Sequence, residues 1–222
     1  MIEPVMLPYK TIGRDLIQEA DVMIFRGTGI ISGLIQRFSG SRYSHAAMAS
    51  WHNGSDEPPI LECIEFREGS CGGRISNLSR QVEKYDEQID IYRPLPSTNV
   101  LKLVHLEDSY SVVKLPMHLN PKAVTNCMRK MTGLPYGWSR LWWLAKHHLL
   151  GARLWYVTDE AIDDRPKEIN DVYPVCSTAV AASFNLGCGY DLMPNRSDNR
   201  MEPGDLAKSH LLNYLFTLKC DW

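Results

Sequence analysis

The chain has six cysteines, at positions 63, 71, 127, 176, 188 and 220, but no Cys-x-x-Cys pair. Without that spacing a structural zinc site is not expected, and no metal or other cofactor is called for. Irregular spacing over 222 residues does not suit a small disulfide scaffold, so the cysteines read as reduced thiols. An excess of one charge is also missing. There are 24 Lys and Arg against 26 Asp and Glu, for a formal net charge of −2, which argues against a nucleic-acid partner or an anionic membrane surface. No apolar run approaches the roughly 18 residues a membrane span needs. The opening MIEPVMLPYKTIGRD lacks a basic start followed by an apolar core, so no signal peptide is expected. These absences suggest a cytoplasmic or unassigned location, with delivery to a cell wall by another route left open. Repeats and low-complexity linkers are lacking too. With 44% hydrophobic and 23% charged residues, one domain over 1–222 with its own core is expected.

Apolar patterning supplies the elements. The runs 21–25, 45–51, 60–66 and 88–94 read as strands, with 45–66 a hairpin around the polar loop HNGSDEPP. Ile30, Ile31, Leu34, Ile35 and Phe38 recur at helical spacing, and Gly40 stops that helix. Residues 97–120 read as an extra hairpin. Asn120 and Pro121 provide an N-cap and a first-turn proline for a helix whose apolar face is Ala123, Val124, Cys127, Met128 and Met131, ended by Gly133. The Trp-rich stretch 139–155 reads as helical and 158–171 as an acidic loop. A helix begins at Cys176, with Gly187 as its stop. A short helix over 201–209 and the apolar LLNYLFTL close the chain. The order is α+β, with strands clustered early and helices on either side.

Cys176 stands two residues after Pro174 and heads a run of small residues, CSTAVAASF. A helix N-terminus offers unpaired N–H groups and the positive end of the helix dipole, which stabilise a thiolate and can hold an oxyanion. A buried structural cysteine is the plain alternative. Among the seven histidines, His45 stands out. It opens a strand after a tight turn, and the small Ala46 and Ala47 leave room for another element.

The segment ADVMIFRGTGIISGLIQRFSGSRYSHAAM resembles the opening of the permuted papain-like amidases, the bacterial YaeF/YiiX type within the clan of NlpC-like cell-wall cysteine peptidases. Asp21, Arg26-Gly27 and Ser44-His45 match that opening in order. LECIE, GLPYGW, CSTAV and MEPGDLAKS resemble the family's later segments, so the likeness runs from about residue 20 to 209. It implies a circularly permuted papain-like (NlpC-like) fold, an antiparallel sheet packed against helices that include the nucleophile helix. Segments 97–120 and 139–172 would be insertions that shape or cover the cleft or bind a protein partner.

The resemblance further implies a cysteine hydrolase that cleaves an amide or ester through a thioester. Cys176 would be the nucleophile and His45 the base. Strand alternation places Glu62 and Glu65 on opposite faces. The loop does not fix the hairpin register, so pairing alone does not choose between them; the resemblance selects Glu62 to orient the imidazole. Tyr173, Ser177, Ser44 and Tyr136 are candidates for substrate or oxyanion contacts. The expected substrate is a cell-wall (peptidoglycan) peptide or amide. The alternatives are a hydrolase or acyltransferase acting on acyl-lipid amides, with Leu141, Trp142, Trp143, Leu144, Leu149 and Leu150 lining a groove, and a non-enzymatic structural or interaction protein that keeps the fold. The chain departs from the family pattern at Ala20 (usually glycine), Val175 (often aromatic) and Thr178 (often glutamate).

Overall fold

A computed structural model of the protein describes residues 4–28, 30–53, 58–67, 72–83, 88–106, 109–139, 166–172, 174–194 and 196–219. Among these residues nine strands are assigned: β1 (Met6–Pro8), β2 (Val22–Phe25), β3 (His45–His52), β4 (Ile60–Phe66), β5 (Gly73–Asn77), β6 (Ile89–Pro94), β7 (Ser97–Leu106), β8 (Ser109–His118) and β9 (Leu212–Lys219). The helices used below are α1 (Arg14–Leu16), α2 (Ile30–Ser39), α3 (Leu78–Val82), α4 (Pro121–Met131), α5 (Cys176–Cys188) and α6 (Pro203–Leu206). Seven strands form one sheet in the order β1-β9-β6-β2-β3-β4-β5. Its pairings are antiparallel except β1 with β9. The expected hairpin over 97–120 forms as β7 and β8, a separate two-stranded sheet. The architecture is therefore α+β, a mostly antiparallel sheet packed with helices.

Strand alternation gives the sheet two buried faces. On one, Val22, Ile24, Ala46, Met48, Ile64 and Phe66 pack with Val124, Met128 and Met131 of α4 and Ala179, Val180 and Phe184 of α5. On the other, Met23, Phe25, Ala47, Ala49, Leu61 and Cys63 meet Leu78 and Val82 of α3 and Phe216 and Leu218 of β9. Fully burying a side chain such as Phe184 or Ile64 stabilises by about 1.5–3 kcal/mol, so the two clusters hold the central strands rigid.

The α4 helix starts as its sequence predicts. The Asn120 side chain accepts from Ala123 N–H at 3.1 Å, and Pro121 occupies the first turn. The stop of α5 is corrected. The helix continues through Gly187 to Cys188, and Gly189 takes the left-handed conformation with φ 68°. Gly187 has a packing role instead, since a Cβ there would lie 2.9 Å from the Ala123 carbonyl oxygen and 3.0 Å from Val124 Cα. That contact lets α4 and α5 approach closely. The N-terminal segment, unassigned from sequence, adds β1 to the sheet edge beside β9. Among the described residues, no helix is long and apolar enough to cross a membrane.

Candidate functional site

The turn into β3 is held from below. Arg26 forks onto the buried Asp90, with Nη2 2.8 Å from Oδ1 and Nε 3.2 Å from Oδ2. The Tyr43 hydroxyl donates to the same Oδ2 at 2.7 Å, and Thr217 Oγ1 donates to Oδ1 at 2.6 Å. Such charge-assisted bonds are strong where water is excluded, and they fix Tyr43 two residues before His45. Gly27 gives room here, because a Cβ would fall 2.9 Å from Ser32 Cβ and 2.7 Å from Ser44 Oγ. Asp21 is likewise a fastener: Arg93 donates to both its oxygens at 2.9 and 2.8 Å. The matched Asp21 and Arg26-Gly27 thus position the strands without entering the site.

The head of α5 is built just as tightly. Gly137 N–H donates to the Pro174 carbonyl at 2.9 Å, tying the approach of α5 to the chain beyond α4. Val175 N–H donates to Thr178 Oγ1 at 2.8 Å, so Thr178 performs the backward cap that a glutamate at that position would supply. Residues Cys176 to Phe184 are all buried, and the small side chains among them let the helix tip lie against β3.

Cys176 and His45 meet there. The thiol is 5% exposed and hydrogen-bonds the His45 ring, with backbone N–H bonds from Ala46 and Ser177. Burial works to raise the thiol pKa, but the His45 charge and these hydrogen bonds outweigh it and hold it below the usual thiol range. Burial alone would pull His45 down. The Cys176 thiolate, and behind it Glu65, override burial and push His45 up to about 9. Each shift favours the charged form of its group, so the pairing favours a thiolate beside an imidazolium.

The carboxylate beside His45 is Glu65, not Glu62. In the hairpin register Ala47 faces Glu65 and Ser50 faces Glu62. Glu65 therefore lies on the His45 side, and its Oε2 is 2.8 Å from His45 Nε2. Glu62 lies on the opposite face, where it pairs with Arg129 of α4. Alternation correctly separated the two acids; the choice between them is corrected. Glu65 is fully buried and also accepts from Arg67 Nε (3.0 Å), Arg74 Nε (2.6 Å) and Gln81 Nε2 (3.1 and 3.2 Å). Burial would raise its pKa, yet His45 first, and then the Arg67 and Arg74 charges, hold it far below the ordinary carboxylate range.

Of the four residues considered for substrate or oxyanion contacts, two are committed elsewhere. Ser177 Oγ donates to the Met201 carbonyl at 2.7 Å and is buried, so it anchors α5 to the following loop. Ser44 Oγ accepts from Gly27 N–H at 2.9 Å and is buried. Tyr136 is buried, with its ring 5.1 Å from that of Trp138. Tyr173 lies outside the described residues, as do Leu141, Trp142, Trp143, Leu144, Leu149 and Leu150. Arg67, Arg74 and Gln81 went unnoticed in the sequence because only the β4–β5 register and α3 bring them to one carboxylate.

A thiolate held at a helix head beside an imidazolium, itself oriented by a buried carboxylate, is equipped for nucleophilic attack on a carbonyl and for returning a proton to a leaving group. Comparison with known family models and with curated proteins finds no match to the chain.

Proposed function

We propose that the protein is a cysteine hydrolase of the permuted papain-like kind, acting on an amide or ester. The observation that carries this reading is the Cys176–His45–Glu65 array, with the thiol hydrogen-bonded to His45 and His45 Nε2 2.8 Å from Glu65. Chain order supports the permutation: the histidine strand β3 precedes the cysteine helix α5.

In the proposed reaction the Cys176 sulfur attacks the substrate carbonyl carbon, forming a C–S bond. Backbone N–H groups of the first turn of α5 stabilise the developing oxyanion. The His45 imidazolium gives its proton to the leaving amine or alcohol as the carbonyl–heteroatom bond breaks. Water, deprotonated by the now neutral His45, then cleaves the thioester and restores the thiolate. Glu65 keeps the ring oriented and the imidazolium favoured throughout. The sequence resemblance supports a cell-wall peptide or amide as substrate.

An acyl-enzyme trap tests the reading. The protein is mixed with p-nitrophenyl acetate, quenched in acid and analysed by peptide mass spectrometry. A nitrophenolate burst with one acetyl group on Cys176, absent from Cys176→Ala, is expected. No burst, or acetylation confined to other residues, would overturn it.

A further inference from the structure

Glu65 is surrounded by more positive charge than its own ionisation balances. Two guanidiniums and the His45 ring converge on this one carboxylate. Burying Glu65 explains part of this, since a buried carboxylate needs a cationic partner. One arginine beside His45 would suffice for that, and the geometry of the two has a further consequence.

Arg67 and His45 donate to the same oxygen, Glu65 Oε2, at 3.0 and 2.8 Å. The Arg67 guanidinium therefore lies next to the imidazole. Arg74, across the β4–β5 pair, takes the other oxygen. Glu65 is 0% exposed, whereas the Arg67 and Arg74 side chains are 38% and 47% exposed. Each arginine turns its Nε to Glu65, and Arg74 adds Nη2. Among the described residues, both Nη groups of Arg67 and Nη1 of Arg74 have no other partner. A fixed pair of guanidiniums, half open to water and backed by a buried acid, is suited to bidentate recognition of an anionic oxygen group.

We infer that Arg67 and Arg74 form an anion-recognising subsite beside His45, selecting substrates that carry a carboxylate or phosphate within reach of the ring from the scissile acyl group. The inference rests on Cys176 being the nucleophile.

The test uses three alkylating probes of matched length: N-bromoacetyl-glycine, its methylamide, and N-bromoacetyl-ethanolamine phosphate. In each reaction the Cys176 thiolate forms a C–S bond at the bromomethyl carbon, and bromide leaves with the electron pair of the C–Br bond. The neutral methylamide reports intrinsic thiol reactivity, so the ratio of anionic to neutral rate isolates anion recognition from any disturbance of His45. At low salt the wild-type ratio should be on the order of 10 for at least one anion, and the faster anion identifies carboxylate or phosphate as the group recognised. The ratio should approach unity in high salt. Arg67→Gln and Arg74→Gln should each lower it, Arg67→Lys should retain part of it, and Lys122→Gln, a charge control beside Trp51 and His52 at the opposite end of β3 from His45, should leave it unchanged. A wild-type ratio near unity, or one that persists in both Gln variants, overturns the subsite alone when Cys176 is still the labelled thiol. Failure of all three probes to favour Cys176 over the other cysteines overturns the nucleophile reading and the subsite with it.

Discussion

Replacing Glu65 with Gln preserves the shape of the side chain and removes its charge. The carboxylate is fully buried and serves four donors: His45, Arg67, Arg74 and Gln81. Removing one member of a buried charge set costs about 3–5 kcal/mol. Arg67 and Arg74 are exposed enough to recover hydration, so a loss of about 2 kcal/mol in folding stability is expected. The chemical effect should be larger. Burial works against the His45 charge, and Glu65 is one of the groups that outweigh burial to bring His45 up to about 9. Its loss should move His45 downward and release the ring from its orientation. Turnover should fall on the order of 10²-fold, the lower range for a positioned acid–base partner. Glu62→Gln breaks only the Arg129 pair on the opposite face. It should cost about 1 kcal/mol and leave Cys176 reactivity intact. Urea unfolding, turnover of p-nitrophenyl acetate and an NMR titration of His45 measure all three quantities. A Glu65→Gln protein with wild-type turnover and His45 still near 9, beside an inactive Glu62→Gln protein, would refute the reasoning.

The two glycines at the end of α5 should respond through different mechanisms. Gly187→Ala drives a methyl into the backbone of α4 and should cost about 1–3 kcal/mol as an overpacking change. Gly189→Ala meets no neighbour but needs φ 68°, costing about 1 kcal/mol. Urea denaturation of both checks this, and a larger loss at Gly189 would contradict the close-approach argument. Stability should also depend on pH from both sides. His45, raised to about 9, contributes stability that is fully present below its unfolded value of about 6.5 and is lost as pH rises through about 9. Glu65 is lowered, so its contribution is present above its unfolded value of about 4.3 and is lost as pH falls through its depressed folded value. Cys176 is lowered by the same pairing, so its contribution is present above its unfolded value of about 8.5 and is lost as pH falls, which offsets the His45 decline between about pH 6.5 and 8.5. The urea midpoint should therefore be highest between about pH 6.5 and 8.5, and Glu65→Gln should flatten the acid flank. An unchanged acid flank in that variant would contradict the assignment.

The elements that carry the site were legible because their signals are local. Apolar periodicity marked β2, β3, β4 and α4, and Pro174 followed by small residues marked α5. Hairpin register was not legible. Residues 53–59 join β3 to β4, and nothing in their composition states whether Glu62 or Glu65 comes opposite Ala47. A slip of one residue exchanges the two faces, so the orienting acid was chosen by resemblance, and the register reversed that choice. Gly187 and Gly189 illustrate the same limit at a helix end. Both are plausible stops in sequence, and only the packing of α4 shows that Gly187 is needed for closeness while Gly189 provides the left-handed turn. Ala20 reverses the pattern. It takes φ 65°, a conformation in which glycine is unstrained, so the departure from glycine carries a real backbone cost. Ser44 and Ser177 were drawn toward the site by proximity in sequence. Short hydroxyl side chains satisfy nearby backbone groups readily, and both do so.

The central claim is that Cys176 is held as a thiolate by His45. It is tested most directly by the pH dependence of Cys176 alkylation with iodoacetamide, followed peptide by peptide by mass spectrometry between pH 6 and 8. An ordinary thiol with a pKa of about 8.5 gains nearly tenfold in rate per pH unit over this range. The account predicts that Cys176 reacts ahead of Cys63, Cys127 and Cys188 at pH 6 and gains far less than tenfold per unit. A Cys176 rate that climbs tenfold per unit, or equal labelling of another cysteine at pH 6, would contradict it.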